Sequence, residues 1–513
     1  MDVMEWMIVA VLLIVNFTQV TQEPLQTYIE NRKSFLQAEA TRRTGGTIKL
    51  NAQELKVNEI LMDVKNKEFE AALSGDQFAP AQHFFKAKQL IEKSQVYKLI
   101  KKMPKGGALH LHSISLTTID WVIKNITYMS NLYYCVSSDE AQSLRFEFFC
   151  TPPKVAKPSC SMWQNVSAAR VSFGEKNFDE WLFTKMTMWT DEDPLKVYPN
   201  STAAWTKFQS CFFSINDLTK DANVFEMYLW QALSEFMEDN VQYMEMRSVI
   251  QQLTTTHGTL YPIEYTMQLF AKTVDRFVAT YPCNFSGAKL ISSPQREVPR
   301  ETVKASINLA LKLRDSFPDH FAGFDLVGEE DTGYPLFYYI NELLIPSQTN
   351  RSLPYFFHAG ETDWEGTAID DNLIDALLLN TSRIGHGYAI TKHPVAMEMA
   401  KSKGIALEIN PISNQVLHLV GDLRNHPAAT LVSQGFPLVI SSDDSPIWCS
   451  DPLSFDFYET FMGLAGAKAD LATLKQLAQD SIRYSVMTSD EKHKALALWD
   501  KKWQAFLDEV LMI

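Results

Sequence analysis

The sequence has no Cys-x-x-Cys pair and only six cysteines in 513 residues. That excludes a disulfide-built scaffold, which crowds its cysteines into a short chain. Basic residues are outnumbered: 47 Lys and Arg stand against 61 Asp and Glu, a formal net charge of −14. No nucleic-acid partner held through a basic face is expected. No apolar run reaches the roughly 20 residues that a membrane span requires. No glycine-rich nucleotide fingerprint follows the first strand-like segment, and no internal repeat or low-complexity tract occurs. What remains is ordinary globular usage, 46% hydrophobic and 21% charged, which excludes a disordered, collagenous or coiled-coil chain. Length suggests about three domains, unless an α/β barrel absorbs 250 residues or more in one.

The most continuous apolar run, residues 8–15, lies near the start and is followed by polar Asn16 and Thr18. It fits the apolar region of a secretory signal peptide spanning 1–22, although no Lys or Arg precedes it. The remainder is expected to be secreted and extracellular. Glycosylation sequons at Asn125, Asn165, Asn200, Asn284, Asn350 and Asn380 agree with export. Cys135, Cys150 and Cys160 share a segment rich in Ser, Pro and aromatics. In an oxidising compartment two of the three pair, in the first instance Cys135 with Cys160. Cys211, Cys283 and Cys449 read as buried thiols.

Residues 23–103 read as a helical arm, with amphipathic helices at 25–38, 52–73 and 79–100. The arm caps the remaining domain or mediates a dimer. Residues 124–186 interrupt the pattern with prolines, three cysteines and two sequons, and read as an inserted, loop-rich module. From 104 to 513 short apolar runs alternate with helical stretches such as 223–238, 301–317 and 370–379. The runs are 108–114, 241–249, 288–292, 322–327, 355–359, 383–386, 406–410 and 438–442. Eight strands alternating with helices predict a parallel α/β sheet closed as a (β/α)8 TIM barrel. An open doubly wound sheet is the alternative.

Barrel enzymes carry their chemistry at the C-terminal ends of the strands, and polar residues collect there. His110 and His112 are two apart on one strand and so share a face. The fifth strand ends in His358, Gly360 and Glu361, the sixth in His386, the eighth in Asp443 and Asp444. Three imidazoles and a carboxylate can hold zinc and leave a position for water. The missing Cys-x-x-Cys excludes the cysteine-ligated zinc deaminase fold.

Six blocks carry a resemblance: MPKGGALHLH from Met103, GFDLVGEEDTG from Gly323, PYFFHAGETDW from Pro354, NTSRIGHGYA from Asn380, NPISNQVL from Asn410 and VISSDD from Val439. In this order they resemble the secreted adenosine deaminase-related growth factors, relatives of adenosine deaminase among the metal-dependent amidohydrolase barrels. The likeness extends over most of the chain, arm and insertion included.

The resemblance implies one Zn2+ per chain on His110, His112, His358 and Asp443. It implies that a zinc-activated water attacks C6 of adenosine or 2′-deoxyadenosine, releasing ammonia. Glu361 is then the acid that protonates N1, and His386 the imidazole beside the water. Asp444 faces N7, the amide of Gly328 faces N3, and Trp205 walls the ribose side. The family pattern places Asp directly after the second histidine to grip the sugar; here that position is Ser113, which carries no charge. Glu329, next to Gly328, adds negative charge near the pocket mouth. The resemblance further implies a homodimer built through the arm. The alternative that Ser113 motivates is a weakened, growth-factor-like ligand protein for a cell-surface receptor or glycosaminoglycan.

Overall fold

The computed structural model describes residues 24–138, 143–150, 160, 162–255 and 258–512. The expected signal segment 1–22 lies outside the described residues. No helix among the described residues is long and apolar enough to cross a membrane.

Eleven strands are described. β1 (Gly106–His112), β5 (Val241–Ser248), β6 (Gly287–Ser292) and β7 (Phe321–Phe324) pair in parallel in that order. β8 (His358–Ala359), β9 (Arg383–His386), β10 (Ala406–Ile409) and β11 (Leu438–Ile440) form a second parallel set. Parallel bridges Leu111–Asp443 and Phe324–Tyr355 join the two sets into a ring. Helices such as Arg300–Ser316, Pro394–Lys403 and Leu471–Arg483 follow the strands. This is the eight-stranded barrel that the alternation of runs predicts. The fifth strand is shorter than read from sequence: within 355–359 only His358–Ala359 pairs regularly, and Tyr355 makes an isolated bridge. Gly106 starts β1 with φ +79°, and a Cβ there would lie 2.3 Å from the carbonyl of Ala478. Only glycine lets the strand approach the helix Leu471–Arg483 so closely.

The arm divides into two parts. Helix Leu25–Arg42 buries none of its residues. Helix Ala52–Leu73 starts with a capping box between Asn51 and Glu54 and buries Glu54, Val57, Leu61 and Lys65, one face at helical spacing. Lys65 Nζ donates to the carbonyls of Phe461, Gly466 and Ala469 at 3.2, 2.8 and 2.8 Å, and Trp503 Nε1 donates to Glu54 at 2.8 Å. These bonds fasten the helix to the barrel. The single helix expected over 79–100 is instead a short 3-10 turn followed by Phe84–Lys93 and Gln95–Lys102. Ser94 breaks it: its backbone is extended and its hydroxyl accepts from the amide of Tyr97, starting a new helix.

The insertion is more ordered than its composition suggests. β2 (Leu132–Val136), β3 (Leu144–Phe148) and β4 (Gln164–Asn165) form an antiparallel sheet in the order β3-β2-β4. Helices Val166–Phe173 and Glu175–Met186 follow. Cys135 and Cys160 form a disulfide. Arg145 pairs with Asp217 (2.6 Å) on helix Ser201–Leu218, tying the sheet to the barrel side. Asn125, Asn200, Asn284, Asn350 and Asn380 are exposed; Asn165 is half-buried and caps the helix that follows it. Cys211 is buried as expected, whereas Cys283 is exposed, because it lies in the turn between helix Ile263–Thr280 and β6.

Candidate active site

The barrel interior is filled with charge. Arg247, on β5, donates from Nε to Asp325 Oδ2 and from Nη2 to Glu408 Oε2, both at 2.6 Å. Arg383, opening β9, donates to Glu408 Oε1 (2.6 Å) and Glu245 Oε2 (2.5 Å). All five side chains are buried. Against the penalty of burial, Arg247 and Arg383 hold Glu408 well below the usual carboxylate range.

This network supports two imidazoles. His110 Nδ1 bonds Glu408 Oε2 at 2.7 Å, and His358 Nδ1 bonds Asp325 Oδ2 at 2.6 Å. Each carboxylate fixes the ring and turns Nε2 inwards, as behind metal-binding histidines. Gly385 leaves room for this: a Cβ there would lie 2.9 Å from His110 Cε1. The rings of His110 and His358 are 4.5 Å apart, and His112 lies 5.6 Å from His110. Asp443 completes the group, with Oδ1 3.4 Å from His110 Nε2 and 3.0 Å from His112 Nε2. Ser413 Oγ donates to its other oxygen at 2.7 Å.

The donor set fits a metal ion. His110, His112 and His358 bring ligand atoms within 4.8 Å of one another, as do His110, His386 and Asp443. His110 Nε2 and Asp443 Oδ1 are buried and make no hydrogen bond, although they converge. Lone pairs facing one another in a buried site are costly unless a cation lies between them. Burial, and then the neighbouring His110, push His358 and His386 well below the ordinary imidazole range. Burial also lowers His112. Neutral rings are the form that binds a metal.

Around this group lie two carboxyls of another kind. Burial, then Asp443 and Glu330, push Glu361 well above the usual carboxylate range. Burial and then Asp443 do the same to Asp444. Oε1 of Glu361 and Oδ2 of Asp444 are buried without a hydrogen-bond partner. Ser115 Oγ donates to Asp444 Oδ1. His386 Nδ1 lies 3.0 Å from Asn414 Nδ2 and 3.5 Å from Glu361 Oε1. His386 and Asp443 have φ of 58° and 57°. For residues other than glycine this conformation is unfavourable, and it concentrates at functional sites.

Nine of the ten residues singled out from sequence as metal, catalytic or substrate groups line one cleft that opens to solvent at its mouth; His110 alone lies beneath its wall, fully buried. Trp205 enters from helix Ser201–Leu218, and Gly328 follows β7. Glu329 is not part of the lining; its carboxylate accepts from Thr332 at 3.0 Å. The sequence reading missed Arg247, Asp325, Glu408 and Ser115. Charged residues inside otherwise apolar runs, such as Glu245 and Arg247 in 241–249, were the available signal.

Residues 7–100 match the family model described as the adenosine/AMP deaminase N-terminal region, and residues 188–502 match the adenosine deaminase model. Adenosine deaminase 2 of Homo sapiens is 44% identical over 482 residues, covering 94% of this chain and 93% of that protein. Among solved structures, Arabidopsis ADAL complexed with GMP superposes with a TM-score of 0.54 at 18% identity, over 79% of this chain and 98% of that one. An amidohydrolase from Burkholderia ambifaria with bound Zn gives 0.53 at 16% identity, over 82% and 95%. At these identities the two structures speak for the barrel fold.

Proposed function

Because the chain belongs to the adenosine deaminase family, and is thereby a hydrolytic deaminase in a family that implies a divalent metal, we propose that it is a secreted zinc enzyme converting adenosine and 2′-deoxyadenosine to the inosine nucleosides and ammonia. The observation that carries this reading is the buried, unpartnered carboxyl of Glu361 beside the imidazole–Asp443 group.

His110, His112, His358 and Asp443 would hold the ion; three imidazoles and one carboxylate are a zinc-type set. The ion supplies Lewis acidity, which brings the pKa of water down towards ~7. Glu361, kept protonated by burial, donates its proton to N1 of the purine and so makes C6 electrophilic. His386, kept neutral, accepts the proton that water loses as its oxygen bonds to C6. The same proton leaves with the amine as the C6–N bond breaks and ammonia departs, while the proton left on the C6 oxygen passes to the Glu361 carboxylate, giving the C6 carbonyl and restoring the acid. Asp444, whose carboxyl burial and Asp443 push well above the usual range, hydrogen-bonds N7, while the Gly328 amide donates to N3. Trp205 walls the sugar, and Ser113 offers it an uncharged hydroxyl. The cleft excludes bulk water from the carboxyls, which keeps their pKa values raised.

Metal removal is the direct test. Dialysis against a strong chelator is expected to abolish adenosine turnover, and one equivalent of Zn2+ per chain to restore it. Full activity in metal-free protein would reject the reading. Ser113 motivates a second reading, in which the barrel is a weakened relic and the arm and insertion engage a receptor or glycosaminoglycan.

The exposed helix Leu25–Arg42 supports the proposal of a homodimer. It leaves Leu25, Tyr28, Ile29 and Phe35 uncovered, and apolar surface of this kind is stabilised by burial against a partner. Removing residues 24–42 is expected to halve the sedimenting mass while kcat changes less than about twofold. A truncated chain that remains dimeric would place the interface elsewhere.

A further inference from the structure

The cleft continues beyond the metal-ligating group. With C6 towards the four ligands, N7 towards Asp444 and N3 towards Gly328, an adenine directs its sugar outwards. The 5′ substituent is then the part of the nucleoside farthest from the chemistry. Ser113 stands on that path, its Oγ donating to Ser248 Oγ at 3.0 Å. The same cleft is also lined by Asn216, Gln251, Leu253 and Thr266, an annex formed by residues outside the metal-ligating group. These walls are tied together: Gln251 Nε2 donates to Asn216 Oδ1 at 2.8 Å, and Thr266 Oγ1 donates to the carbonyl of Gln251 at 2.6 Å.

Every side chain of this outer annex is uncharged. Among the described residues the one cation lining the cleft is Arg247, and it is buried between Asp325 and Glu408. The lining acids Glu361, Asp443 and Asp444 all lie at the inner end. A phosphate in the annex would lose its hydration without gaining a cationic partner. A small apolar group would gain from leaving water beside Leu253. Ser113 carries no charge with which to reward a 5′-hydroxyl; with its proton donated to Ser248, its Oγ offers only a neutral acceptor, weaker than a carboxylate.

We propose that the site also deaminates adenine nucleosides whose 5′ carbon bears an uncharged substituent, such as a thioether or a plain 5′-deoxy group; this rests on the deaminase reading above. The balance is that of the parent reaction. The oxygen of water bonds to C6, the C6–N bond breaks, ammonia leaves with one of water's protons, the other is matched by the proton gained at N1, and the 5′ group takes no part.

The test is kcat/KM of the zinc-loaded full chain for adenosine, 5′-deoxyadenosine, 5′-methylthioadenosine and AMP, with Ser113→Asp alongside. The two 5′-modified nucleosides are expected within tenfold of adenosine, and AMP at least a hundredfold below it. Ser113→Asp is expected to raise the preference for adenosine over the thioether at least tenfold, because a carboxylate accepts from the 5′-hydroxyl. A thioether turned over a hundredfold more slowly than adenosine by the natural chain would overturn the proposal and leave the deaminase reading standing. AMP turned over as well as the thioether would overturn the neutral annex. Absence of turnover with adenosine itself would overturn the parent reading, and the proposal with it.

Discussion

Glu361→Gln is expected to lower kcat for adenosine by about 10²- to 10⁴-fold, the usual contribution of a positioned general acid, and to leave the metal content unchanged. The carboxyl is buried and its Oε1 has no protein partner, so the amide fits the same space. What the amide cannot do is deliver a proton to the purine ring. The loss should therefore appear in kcat, with KM changing far less. The pH profile gives a second readout. Burial and the nearby Asp443 and Glu330 raise the Glu361 pKa, which favours the protonated form that donates. Activity of the natural chain should fall as pH rises through that raised value, and the residual activity of the variant should lack this alkaline limb. A variant that keeps more than a tenth of the natural kcat would remove Glu361 from the proton-transfer step.

Arg247→Met is expected to destabilise the protein by about 3–5 kcal/mol, the typical cost of removing one partner from a buried ion pair. The substitution fills much of the same volume but leaves Asp325 and Glu408 facing one another in the barrel interior with only Arg383 to neutralise the second. Those carboxylates orient His358 and His110, so metal affinity should fall with stability. The pH dependence has a definite sign. Arg247 and Arg383 depress the Glu408 pKa against its burial, so their stabilisation is present above the unfolded carboxylate pKa and is lost as pH falls through the folded one. The denaturant midpoint of the variant should therefore differ most from the natural protein at neutral pH and converge with it in acid. A shift of less than 1 kcal/mol at neutral pH would mean that water or rearrangement compensates the two acids.

The barrel was legible because its strands are short apolar runs, and a parallel strand buried on both faces reads as such a run. The run 383–386 matches β9 residue for residue. The inner site was legible for a related reason: His358, Glu361, His386, Asp443 and Asp444 interrupt apolar runs at their C-terminal ends. Hydrophobicity does not register what depends on direction. Glu245 and Arg247 alternate with apolar neighbours as a solvent-facing edge would, yet they point into the barrel and meet Arg383, Asp325 and Glu408. Their partners lie up to 161 residues away, a distance that local periodicity cannot bridge. The break at Ser94 was missed because the apolar spacing runs through it. The helix Leu25–Arg42 looked amphipathic, but its exposure depends on where the chain sits on the fold. Ser113 was visible as a departure from the family pattern; the neutral annex behind it was not, since Asn216, Gln251 and Thr266 come from separate elements.

The central claim is tested most directly by following adenosine conversion to inosine with the purified, zinc-replete chain, natural and Ser113→Asp side by side. The natural chain is expected to turn adenosine over, with one zinc per chain, and Ser113→Asp to change the rate without being required for it. Turnover confined to Ser113→Asp would contradict this, and would mean that an intact barrel has lost its grip on adenosine.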